Sequence, residues 1–138
     1  SFFCDIGTSY GYLSGILKKE YNLSKFVLVD LPEVNLLSFF YLSSMFPKSR
    51  ICLSHEIKDE KIITRELIDK YDFVILEQDD FNRLDQEIFD CVINTASLGE
   101  MSIIDQNYYI KEIERVTYIN HYTMISQFSN LMIKYKKF

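Results

Sequence analysis

The sequence is poor in features that mark several whole classes of protein. It has no excess of positive charge: 15 Lys and Arg stand against 20 Asp and Glu, for a net charge of −5. A nucleic-acid partner calls for clustered cations along a phosphate backbone, so none is expected. The one basic cluster, Lys134, Lys136 and Lys137, reads as a solvated helix end. Histidine is scarce, and His55 and His121 stand too far apart for a zinc motif, so no metal is expected. Cys4, Cys52 and Cys91 are odd in number, lie in apolar runs and lack C-x-x-C spacing. They read as buried thiols in a reducing, cytoplasmic compartment. No apolar stretch reaches the roughly 18 to 20 residues of a membrane span. Val34 to Phe46 comes nearest, interrupted by Asn35, Ser38, Ser43 and Ser44. Internal repeats and low-complexity segments are also missing.

What is present describes a globular chain. Hydrophobic residues make up 48% and charged residues 25%, which sets it apart from disordered sequences. A chain of 138 residues fits one domain, able to bury about 70% of the surface its unfolded form exposes. The first residue is Ser rather than Met, and the chain starts inside an apolar run without the basic start of a signal peptide. A truncated core, its N-terminal part absent, is the expectation.

The first thirty residues organise the rest. Phe2 to Ile6 is a short apolar run ending at Gly7, as expected of a central parallel strand buried on both faces. From Tyr10 to Tyr21, Leu13, Ile16, Leu17 and Tyr21 recur at helical spacing, with Lys18 and Lys19 suited to the C-terminal dipole. Phe26 to Val29 is a second apolar run, ending at Asp30. Strand, helix and strand of this length predict a right-handed βαβ unit whose ligand crevice lies outside the carboxyl ends of the strands.

Beyond Pro32 a helix is predicted in which Val34, Leu36, Leu37, Phe39, Phe40 and Met45 spread apolar surface almost all round. Such a helix needs a further covering element, either the absent N-terminal part or a second chain meeting it across Val34 to Phe46 as a homodimer. Ile51 to Leu53 predicts a brief strand, Glu56 to Lys61 a loop, and Thr64 to Tyr71 a short helix with Leu67, Ile68 and Tyr71 inward. Phe73 to Leu76 and Phe89 to Ile93 predict two more parallel strands, running into Glu77, Gln78, Asp79 and Asp80 and into Asn94, Thr95, Ala96 and Ser97. Ile103 to Val116 predicts a helix with Tyr109, Ile113 and Val116 on one side. Tyr118 to Ile125 has strand composition, and Phe128, Leu131, Met132 and Tyr135 return to helical spacing. The fold class is therefore α/β: a Rossmann-like αβα sandwich with a mostly parallel sheet.

Gly7 and Gly11 flank a turn where backbone can approach a ligand closely. A carboxylate at Asp30, about 20 residues past the turn, can accept hydrogen bonds from both hydroxyls of a ribose, although it could instead cap the helix at Pro32. The turn is not the dinucleotide fingerprint G-x-G-x-x-G, whose later glycines would fall at Ser9 and Tyr12, and no G-K-[ST] follows. A NAD-type oxidoreductase domain is nevertheless the rival reading of the crossover.

The acid, spacer and glycines of Asp5, Gly7 and Gly11 resemble the first motif of the class I S-adenosylmethionine-dependent methyltransferases, with Ser9 where glycine is common. The stretches DIGTSYGYLSGILKKEY, FVLVDLPEV and FDCVINTASLGEM resemble the bacterial sugar O-methyltransferases more closely, over Phe2 to about Val116. The resemblance implies that Asp5, Gly7, Thr8, Ser9 and Gly11 hold the methionine end of the cofactor and Asp30 its ribose. It implies Leu31 beside the adenine, Asp79 or its neighbours Gln78 and Asp80 at the adenine amino group, and Asn94 to Ser97 beneath the sulfonium. The acceptor would be a small molecule or saccharide, plausibly of a bacterial surface polysaccharide.

Glu100 and His121 are the candidate bases for the acceptor hydroxyl, both near the carboxyl ends of predicted strands. Ser97 to Glu100 also spells a capping box, in which Glu100 would only satisfy a helix start. Asp79 and Asp80 could equally be turn residues, and Asn94 a strand-end turn former.

Overall fold

The computed structural model describes the backbone of residues 1–125 and the side chains of residues 1–118. The predicted helix around Phe128 to Tyr135 and the Lys134, Lys136 and Lys137 cluster lie outside these. The described strands are β1 (Phe2–Ile6), β2 (Lys25–Asp30), β3 (Ile51–Leu53), β4 (Phe73–Glu77), β5 (Phe89–Asn94) and β6 (Thr117–Ile125). Four helices alternate with them: α1 (Tyr12–Glu20), α2 (Pro32–Met45), α3 (Arg65–Asp69) and α4 (Ile103–Val116). The sheet has the order β3-β4-β2-β1-β5-β6, and every neighbouring pair is parallel. Chain order reverses between β1 and β5, the switch point at which an open parallel sheet leaves a crevice.

β1, β2 and β4 are packed on both faces, which is why their central residues are mostly apolar. Cys4, Ile6, Val27, Val29, Val74 and Leu76 pack with Ile68 of α3 and with Tyr109, Ile113 and Val116 of α4. On the other face Phe26, Leu28, Phe73 and Ile75 meet Leu42 of α2 and Leu17 of α1. Ser102 caps α4 by accepting from the Asp105 N–H at 3.1 Å, and Thr64 caps α3 by accepting from Leu67 N–H at 3.3 Å. These caps explain starts that apolar spacing alone places only loosely.

α1 presents a different face from the one its apolar spacing predicts, and α2 buries polar residues while much of its apolar surface stays exposed. In α1 the buried residues are Ser14, Gly15 and Lys18, while Ile16 and Tyr21 are exposed. Lys18 is not a dipole cation in solvent. Its Nζ donates to the Ser24 carbonyl at 2.7 Å and meets Asp72 at 3.1 Å, above the Phe73 ring. In α2 the buried residues are Asn35, Ser38 and Leu42, and Leu36, Leu37, Phe40 and Met45 are exposed. Polar groups turn inward here because they serve backbone at the carboxyl edge: Asn35 bonds the carbonyls of Asp30 and Leu76, and Ser38 that of Ser9. Among the described residues no helix is long and apolar enough to cross a membrane.

Candidate functional site

The turn after β1 contains three left-handed residues in alternation: Gly7 (φ 69°), Ser9 (φ 56°) and Gly11 (φ 83°). Ser9 thus adopts the conformation that a glycine would take without a Cβ penalty. Asp5 holds the turn from below. It is buried, and its Oδ2 accepts from the Thr8 hydroxyl at 3.0 Å and the Ser14 hydroxyl at 2.9 Å. Burial raises its pKa above the ordinary carboxylate value, and the two hydroxyls oppose that rise. Asp5 and Thr8 are therefore internal to the turn, whereas Ser9 is exposed.

The two glycines are required for different reasons. A Cβ on Gly7 would fall 2.1 Å from Ser97 Oγ, so Ser97 occupies the space that the glycine leaves. A Cβ on Gly11 would press against Leu28 and Leu42 at 3.2 and 3.4 Å, so this glycine lets α1 settle on the sheet. The close approach expected of a ligand at Gly7 is thus made by the protein's own serine.

Asn94 brings the two sides of the switch point together. Its Nδ2 donates to the Ile6 carbonyl at 2.9 Å and to Ser97 Oγ at 2.5 Å, and its Oδ1 accepts from Leu98 N–H at 3.3 Å. Ser97 opens a short 3-10 turn reaching Glu100, and its hydroxyl is engaged by Asn94 and the Ile6 carbonyl. No capping box forms between Ser97 and Glu100. Glu100 is exposed. His121 lies within β6, one residue before the Tyr122 that pairs with Cys91 and four before the Ile125 level with Asn94. At about 3.3 Å per residue it is about 13 Å short of the edge that carries Asn94. The pairing register thus sets His121 within the strand, away from the carboxyl end where it was expected.

At the tip of β2, Asp30 Oδ2 accepts from the Ser9 N–H at 3.0 Å and Oδ1 from Leu31 N–H at 2.8 Å. It does not cap α2, whose N-cap is Leu31 with no side-chain hydrogen bond. The carboxylate instead faces the turn with lone pairs left for further donors. Leu31 beside it is 43% exposed, an apolar side chain free to cover a flat ring.

Asp79 and Asp80 separate cleanly. Asp80 is buried, pairs with Arg83 at 2.5 Å, and accepts from the Ser54 hydroxyl and the Glu77 N–H. Asp79 is exposed and lines an open cleft of about 460 Å³ with Gln78, Asn82, Met101, Asp105, Tyr108 and Tyr109. That volume suits a small ligand. Burial above all, with Tyr108, Asp105 and Asp79 nearby, pushes the Tyr109 pKa up to about 12. Met101 and the tyrosines were not foreseen as cleft residues, because the spacing that assigned Tyr109 to the core cannot tell its buried ring from the cleft it borders. Asp30 and Leu31, at the tip of β2, are not among the residues that line this cleft. Within it Met101 and two tyrosine rings suit a base, and Asp79 an exocyclic amine. Among the described residues no cluster could hold a metal ion.

No protein-family model matches the sequence, and no curated protein matches it. Solved structures do. A protein of Methanococcus maripaludis assigned as an S-adenosyl-L-methionine-dependent methyltransferase superposes over 90% of this chain and 46% of its own, with TM-score 0.62 and 17% identity. The mitomycin 7-O-methyltransferase MmcR covers 91% of this chain and 30% of its own, with TM-score 0.64 and 16% identity. PigF, determined with SAH, covers 91% and 31%, with TM-score 0.58 and 15% identity. The chain thus has the Rossmann-like fold of the S-adenosylmethionine-dependent methyltransferases. It spans between about a third and a half of the length of these proteins.

Proposed function

We propose that the chain binds S-adenosylmethionine and serves a methyltransferase acting on a sugar hydroxyl of a bacterial surface polysaccharide, in the cytoplasm. The observation that carries the cofactor reading is the Asp30 carboxylate, held at the tip of β2 by the N–H groups of Ser9 and Leu31 beside the switch point. Asp30 accepts the ribose hydroxyls, Leu31 covers one face of the adenine, and Asp79 accepts from its amino group. Gly7, Thr8, Ser9 and Gly11 shape the turn at the methionine end, with Asp5 fixing that turn from within. Asn94 and Ser97 form the floor. The sugar acceptor rests on the likeness of VDLPEV and VINTASLGEM to the sugar O-methyltransferases.

When bound, S-adenosylmethionine supplies a methyl group already made electrophilic by its sulfonium. The protein's part is to align the acceptor oxygen and take its proton. Glu100, an exposed carboxylate on the turn braced by Asn94 and Ser97, is the proposed proton acceptor. The apolar outer face of α2 is the proposed contact with a second copy.

Calorimetric titration with S-adenosylmethionine and with NAD tests this reading. Saturable binding of the first is expected; tight NAD binding without it would replace the proposal by an oxidoreductase domain.

A further inference from the structure

Tyr109 of α4 is only 7% exposed, its ring packed against Phe81 and, edge-on, against Tyr108, with centroids 5.6 Å away in both cases. Core packing accounts for the ring but not for the hydroxyl, which makes no hydrogen bond with any described residue. Asn35 Oδ1 is the one unpaired side-chain N or O atom sealed from solvent among the described residues, so the Tyr109 oxygen keeps an accessible side. That side opens on the cleft of about 460 Å³ that Tyr109 lines. Polar groups on residues buried this far are nearly always paired, so one that reaches only a cleft marks a place for a partner within it.

The neighbouring groups say what that partner offers. A phenol keeps its proton at neutral pH, so Tyr109 brings a donor. Asp79, exposed at the same cleft, brings an acceptor with no hydrogen bond to the described residues. Asp105 is already engaged, its Oδ2 accepting from the Ser102 hydroxyl at 2.7 Å. The Asp79 carboxylate acts electrostatically on the Tyr109 hydroxyl, so donor and acceptor lie within reach of one small ligand. An amine beside a ring acceptor, on one edge of a flat heterocycle, matches that pair.

We propose that Tyr109 is a specificity-determining residue of the cofactor site, its hydroxyl donating to a ring nitrogen that flanks the adenine amine, N1 or N7, while Asp79 accepts from the amine. This inference rests on the S-adenosylmethionine reading and adds to it a side chain that reads the ring beside the amine.

Calorimetry with S-adenosylhomocysteine and with its 1-deaza and 7-deaza analogues, each replacing one ring nitrogen by C–H, tests it. For the wild-type protein at least one analogue should bind about three- to tenfold more weakly than the parent, the loss of one neutral hydrogen bond. The weaker analogue names the nitrogen. Tyr109→Phe should weaken the parent by the same factor and leave that analogue unchanged, so that the discrimination disappears. A merely structural role would instead lower all affinities together and keep the discrimination, which would overturn the proposal. Equal binding of all three ligands by the wild-type protein would also overturn it while leaving the cofactor reading intact, and failure of S-adenosylhomocysteine itself to bind would overturn both.

Discussion

The Ser9 N–H donates to Asp30 Oδ2 across 3.0 Å, joining the turn after β1 to the tip of β2 although 21 residues separate them. Asp30→Ala removes both this tie and the proposed ribose acceptor, and should weaken S-adenosylmethionine binding by about 1 to 3 kcal/mol. Asp30→Asn keeps an acceptor for Ser9 and should lose only part of that. Calorimetry on the two variants separates the contributions, and unchanged affinity in Asp30→Ala removes the residue from the site.

Ser9→Gly tests the left-handed residue of the turn. Relief of roughly 1 to 2 kcal/mol of Cβ strain exceeds the roughly 0.4 to 1 kcal/mol lost to a more flexible unfolded chain. A net gain of about 0.5 to 1 kcal/mol in urea denaturation is expected, with cofactor affinity kept. A loss of affinity would show that the serine hydroxyl makes a contact of its own.

Two carboxylates should tilt stability with pH in opposite directions. Burial alone would raise the Asp72 pKa, but the Arg50 N–H and the Lys18 ammonium outweigh it and lower the value. Its contribution is present above the ordinary carboxylate range and is lost as pH falls through the lowered pKa. Asp72→Asn should flatten that acid limb and, by leaving Lys18 buried without its counter-ion, cost about 3 kcal/mol at pH 7.

Asp5 has the opposite sign. Its raised pKa, caused first by burial, stabilises the fold fully below the unfolded carboxylate range, and that contribution fades as pH rises through the folded value. Asp5→Asn retains an oxygen for Thr8 and Ser14 and should remove the decline. Denaturation midpoints between pH 3 and 8 would reveal a flatter profile in this variant, and an unaltered slope would assign the tilt to other groups.

Phe40 is 61% exposed on α2 beside Leu36 and Leu37. Phe40→Glu should change stability by no more than about 0.5 kcal/mol while shifting a dimer toward monomer in sedimentation. A wild-type protein that stays monomeric at high concentration ends the dimer reading.

β1, β2 and β4 were legible because doubly covered parallel strands are written as apolar runs, β6 from its aromatic and β-branched content, and α4 from the helical spacing of Tyr109, Ile113 and Val116. The buried face of α1 and the inward polar residues of α2 were not, because periodicity counts apolar side chains and cannot see that Lys18 finds Asp72 or that Asn35 finds two strand-end carbonyls. Strand order was also hidden. Nothing local to Phe73 to Glu77 says that it inserts between β2 and the short edge strand β3. Within the candidate site, Asp30 stood out by position, whereas Asp79 was one of three neighbours, with Gln78 and Asp80. The separation of Asp79 from Asp80 needed the Arg83 partner, and the cleft tyrosines needed the packing of α4.

Ser97 resting in the space that Gly7 leaves open makes the turn and the loop carrying Glu100 a single mechanical piece. Any side chain at position 7 would push that loop away and carry the proposed proton acceptor with it. A substitution in the first ten residues would then be felt as a displaced base some ninety positions later, so a defect in proton removal need not originate where the proton goes.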